Sequence, residues 1–129
     1  MIKKEEELRF LKRLERYFKN IPAKDIKQNK PSISRKENCG CFGAHIAKCF
    51  DLRCYLKIEE YSNYYWVLEG ELMFVNNIRP ETNKLFIKYG GGAGVIDNCA
   101  QSIFLSYDWR KHPYEVIAKV LNELEKETK

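Results

Sequence analysis

Leu8, Leu11, Leu14, Phe18 and Ile21 recur three or four residues apart and predict an amphipathic helix over residues 2 to about 19. Glu5, Glu6 and Glu7 open this segment and Arg16 and Lys19 lie near its end, the order that complements a helix dipole. Pro22 ends it. At the other end of the chain, Ile117, Val120, Leu121 and Leu124 repeat the period, and Pro113 stands where a helix accepts proline best, in its first turn. Glu123, Glu125, Lys126 and Glu127 are expected to face water.

Between these ends, the stretch from Cys39 to Leu52 carries the densest apolar pattern. On a helical projection Cys41, Phe42, His45, Ile46, Cys49, Phe50 and Leu52 share one half of the circle. So wide an apolar face predicts a helix covered on most of its surface, with Asn38 as its N-cap. Gly40, Gly43, Ala44 and Ala47 would let a neighbouring element approach closely.

Residues 53–77 carry two patterns at once. Arg53 to Glu59 alternates as a half-buried strand, and Tyr64 to Leu68 with Leu72 to Val75 could pair around Gly70. Tyr61, Tyr65, Leu68, Leu72 and Val75 equally form a helical stripe. Aromatic and β-branched content favours strands, and Gly70 costs a helix roughly 1 kcal/mol relative to alanine. Thr82 to Tyr89 is short and apolar, of either type, and the glycines from Gly90 to Gly94 form a loop that matches no phosphate-binding fingerprint. Residues 95–105 suggest a short helix, followed by a loop to His112.

The reading is a mainly α protein: a small single-domain helical bundle around a buried central helix. Residues 1–21 are the amphipathic helix, 22–37 a basic connection and 38–129 the core. The alternative is an α+β fold with a short antiparallel sheet from residues 53–89. A length of 129 residues suits one domain with a real core. The absence of a long apolar run or a signal-like start predicts a cytoplasmic chain with no membrane segment. Five cysteines, an odd number without a regular framework, then read as free thiols.

Charge changes the picture in one place. The net charge is +5, yet residues 1–38 alone hold twelve Lys or Arg against six Asp or Glu. Lys12, Arg13, Arg16, Lys24, Lys27, Lys30, Arg35 and Lys36 are therefore candidate contacts for nucleic acid or an acidic partner, set against the plain reading of a solvated surface.

Three chemistries are open to these residues. Cys41, His45 and Cys49 are spaced four residues apart and are weak candidate metal ligands. One ion cannot bridge all three, because eight helical residues rise about 12 Å; Cys54, Cys99 or His112 would have to complete a site. Cys39 or Cys41 as nucleophile, with His112 as base and Asp108 or Asp97 as its orienting group, would make a thiol hydrolase. His45 is expected instead to be buried and hydrogen-bonded to backbone. Tyr64, Tyr65 and Trp66 could stack on bases, but aromatics of this kind more often fill a core. No cofactor is expected.

The run Cys39-Gly40-Cys41-Phe42-Gly43-Ala44-His45-Ile46-Ala47, the glycines Gly90-Gly91-Gly92 and the closing Trp109-Arg110-Lys111-His112-Pro113 resemble a loose group of small uncharacterised phage and bacterial proteins. Those carry a Cys-Gly motif opening a helix and a final helix entered through W-x-x-x-P. The adjacent spacing of Cys39 and Cys41 departs from that pattern. The resemblance implies a mainly helical fold, favours helix over residues 62–77, and carries no activity. Together these readings lead to a non-catalytic interaction or regulatory protein of phage or mobile-element type, with a protein partner or self-association as a homodimer. The alternatives are a Cys/His hydrolase and a weak nucleic-acid binder.

Overall fold

The computed structural model describes residues 2–26, 39–52, 69–70, 72–90 and 112–127. These residues are mainly helical. Helix α1 spans Lys4–Lys19, α2 Phe42–Cys49, α3 Pro80–Gly90 and α4 Pro113–Lys126, with a 3-10 turn at Ala23–Asp25. Residues 69–70 and 72–76 are also helical. Among the described residues the only β pairing is one parallel bridge between Ile26 and Gly40. The strand reading of Leu72 to Val75 is therefore overturned: the segment is helical, with Phe74 in the core and Gly70 against α2, but its buried face is not the expected stripe, since Leu72 is exposed. Thr82 to Tyr89, ambiguous in sequence, belongs to α3. The expectations for residues 27–38, 53–68 and 91–111 lie outside the described residues.

One apolar core joins all these elements. Phe10, Leu11, Leu14 and Phe18 of α1 meet Val116, Ile117, Val120, Leu121 and Leu124 of α4, with Phe42, Ile46, Phe74, Ile78 and Phe86 between. The phenylalanines form a relay of ring contacts: Phe18 stacks on Phe42 at 5.5 Å, Phe42 meets the edge of Phe74 at 5.4 Å, and Phe74 meets Phe86 at 4.9 Å. Tilted and edge-on arrangements at such distances add to the area term of burial. No helix among the described residues is long and apolar enough to cross a membrane.

Helix α2 is the element the others cover; every residue from Phe42 to Ala47 is buried. It is shorter than its sequence pattern implies. Its N-cap is Cys41 rather than Asn38, and the Cys41 sulfur accepts from the Ala44 N–H at 3.4 Å. Cys39 thus precedes the helix instead of lying in its first turn. At the other end Asp51 takes a left-handed conformation, φ 60°. Its N–H bonds to the Lys48 carbonyl and that of Leu52 to Ala47, a Schellman closure that stops the helix before Leu52.

Gly70 explains how a neighbour reaches α2. A Cβ at this position would lie 2.4 Å from the Gly43 carbonyl oxygen and 3.2 Å from the Ala47 nitrogen. The helical weakness of glycine is offset here by backbone contact with the small residues of α2. Gly70→Ala should therefore destabilise the protein by about 2 kcal/mol, despite alanine's better helix propensity. Chemical denaturation of the variant checks this, and a stability equal to or above wild type would contradict the close approach.

Candidate functional site

His45, inside the apolar arc of α2, has no solvent exposure. Its Nε2 lies 2.9 Å from the Asp25 carbonyl oxygen, and its Nδ1 lies 2.8 Å from the Tyr17 hydroxyl. A carbonyl can only accept, so Nε2 carries the proton, and Nδ1 must accept from Tyr17. The imidazole is therefore a neutral cross-link between α1, α2 and the turn after α1. Burial lowers its pKa from 6.5 to about 4, against the opposing pull of the Asp25 carbonyl; Lys48 lowers it further. The Asp25 carbonyl also accepts from the Gly40 N–H at 2.9 Å, so one oxygen ties both ends of the basic connection to His45.

His112 is used in the same way at the other end of the chain. It is the N-cap of α4: its Nδ1 accepts from the Tyr114 N–H at 3.1 Å. Its Nε2 donates to the Ile21 carbonyl at 2.5 Å. Both rings thus clamp the segment that follows α1, at Ile21 and at Asp25.

The candidate chemistry fares accordingly. In the hydrolase reading, His112 would deprotonate Cys39 or Cys41, but both of its nitrogens are engaged by backbone. Asp108 and Asp97 lie outside the described residues. In the metal reading, His45 has no nitrogen left for an ion, the Cys41 sulfur caps α2, and burial pushes the Cys49 thiol up in pKa. Among the described residues no group of three His, Cys, Asp or Glu side chains could hold a metal ion.

The basic positions do come together in part. Arg9, Lys12, Arg13 and Arg16, with Glu15, line an open groove of about 450 Å³ along the outer face of α1. Residues 9, 12, 13 and 16 share one helical face. Arg13 is held: it donates to the Cys49 carbonyl at 2.8 Å and lies 4.3 Å over the Phe50 ring, completing the C-terminus of α2. Lys12 reaches Glu125 at 3.8 Å, with both side chains more than half exposed. Lys24 is exposed in the 3-10 turn. Lys27, Lys30, Arg35 and Lys36 lie outside the described residues. Arg9 was not among the positions singled out from charge; its place one turn before Arg13 was the available signal.

A structural pair was also missed. Glu7 has no solvent exposure, and its carboxylate accepts from the Arg79 backbone N–H at 2.6 Å and Nε at 3.0 Å, with Nη2 at 2.9 Å. Arg79 immediately precedes α3, so Glu7 binds both the guanidinium and the positive end of that helix. The hydrogen bond to Glu7 raises the Arg79 pKa above its usual value.

Compared with protein-family models, curated proteins and solved structures, the chain matches none.

Proposed function

We propose that the protein works by binding and not by catalysis, as a small helical interaction or regulatory protein. The observation that carries this is the use of both imidazoles: each places both ring nitrogens in hydrogen bonds that hold the fold. A general base must instead offer a nitrogen to a thiol or a substrate. Two of the three described cysteines point the same way, since the Cys49 thiol is pushed up in pKa and Cys41 is occupied as a helix cap. The partner is a second macromolecule or a second copy of the chain, met in the cytoplasm. The motif resemblance supports a phage or mobile-element setting.

Thiol titration of the native full-length chain tests this reading. The expected result is that no cysteine reacts faster folded than in the chain unfolded by denaturant. A single thiol that reacts far faster in the folded state, with its rate following an ionisation below the ordinary thiol range, would establish an activated nucleophile. That outcome would return the Cys/His hydrolase to first place.

A further inference from the structure

We propose that the groove on the outer face of α1 binds the phosphodiester backbone of a nucleic acid, with Arg9, Arg13 and Arg16 as its contacts. This rests on the binding reading above and names its partner. The lining carries four cations, Arg9, Lys12, Arg13 and Arg16, against one acid, Glu15. Glu5 lies one turn further toward the helix start and is exposed.

The excess of cations in the groove's lining calls for a polyanion, and three features suit a phosphodiester chain. The row is built of guanidinium groups, whose planar donor fork matches a phosphate in two parallel hydrogen bonds. Its length also fits: from residue 9 to residue 16 a helix rises about 10.5 Å. That is long enough to meet a short run of phosphates on one strand of a duplex. Third, Arg13 is already fixed by the Cys49 carbonyl and the Phe50 ring, so less rotamer freedom is lost when it binds. Its remaining N–H groups can still donate. Arg9 and Arg16 are exposed and have no side-chain partner among the described residues.

The contacts proposed are to phosphates, which position a partner without reading its sequence. About three neutralised phosphates, one per arginine, predict a log–log salt slope of about −2.7, or roughly fortyfold weaker binding at 200 mM than at 50 mM salt.

The test is fluorescence anisotropy of the full chain with a labelled 20-base-pair duplex of arbitrary sequence, with a poly-glutamate peptide of matched charge as competitor. Arg9→Glu/Arg16→Glu should weaken binding at least tenfold at low salt and flatten the slope by about 2. Arg9→Gln/Arg16→Gln provides the milder version should the reversal perturb folding, which circular dichroism monitors. Lys119→Glu, an exposed change on α4, should leave affinity close to wild type. The proposal is overturned if the wild-type chain does not bind the duplex. It is also overturned if the arginine variants bind as wild type does, or if poly-glutamate competes as well as unlabelled duplex. Such failure together with slow thiols would leave a binding protein with a different partner, whereas a fast thiol would remove the underlying reading as well.

Discussion

Arg79→Met is expected to destabilise the protein by about 3–5 kcal/mol, the usual consequence of leaving one member of a buried ion pair without its partner. The magnitude follows from an asymmetry between the two side chains. Glu7 has no exposure, whereas the Arg79 side chain keeps 18 %. Without the guanidinium, the Glu7 carboxylate cannot turn to water and retains one donor here, the backbone N–H of residue 79. Glu7→Gln is expected to cost less, about 2 kcal/mol. The amide oxygen can still accept that N–H, and the freed guanidinium can move toward solvent. The double variant Glu7→Gln/Arg79→Met should be less damaging than the sum of the two, because the orphaned charge is gone. Urea denaturation of the four proteins at neutral pH measures each term and the coupling. Strict additivity, or an Arg79→Met variant within 1 kcal/mol of wild type by this measure, would show that the pair behaves like a surface salt bridge.

The pair also shows where sequence stops being informative. Glu7 was legible only as one of three acids at the start of an amphipathic helix, which is a local role. Its partner lies 72 residues away, and nothing in helical period specifies a contact at that separation. The two terminal helices, by contrast, were legible because each buries one continuous stripe: Leu11, Leu14 and Phe18 on α1, and Ile117, Val120, Leu121 and Leu124 on α4. The stripes were narrower in expectation than in fact, since Phe10 and Val116 are buried as well. The boundaries of α2 were misplaced for a chemical reason. Asn38 is the better intrinsic cap, but the helix starts three positions later on a cysteine sulfur, where Gly40 is held by its bond to Asp25. Gly70 misled in the same way, because propensity scores the cost of a glycine and not the neighbour that requires it. Of the candidate site, the cysteines and histidines could be named from the sequence, but not their hydrogen bonds. Two backbone carbonyls, at Ile21 and Asp25, decide that the rings hold structure.

Acid should expose the role of His45 most directly. The folded protein keeps this imidazole neutral until about pH 4, whereas the unfolded chain protonates it near 6.5. The unfolded state therefore binds more protons between these values, and stability falls as the pH is lowered through that window. Its contribution is complete above about pH 7, has dropped by roughly 2 kcal/mol at pH 5, and levels off near a loss of roughly 3 kcal/mol below pH 4. The structural cause is that a second ring proton would go on Nδ1, which now accepts from Tyr17. Protonation replaces that acceptor with a donor and places a charge beside the phenylalanines, 5.7 Å from the Phe18 ring, with Lys48 adding repulsion. Asp25 opposes this without cancelling it. The measurement is the urea midpoint at pH 7.5 and pH 5, a range chosen to stay above most carboxylate titration. His45→Gln should start less stable at pH 7.5, because it cannot reproduce both hydrogen bonds, yet lose little further stability by pH 5. A wild-type midpoint that does not move between the two values would mean that the ring can take its second proton in place, and that it is not the closed cross-link between α1, α2 and the turn.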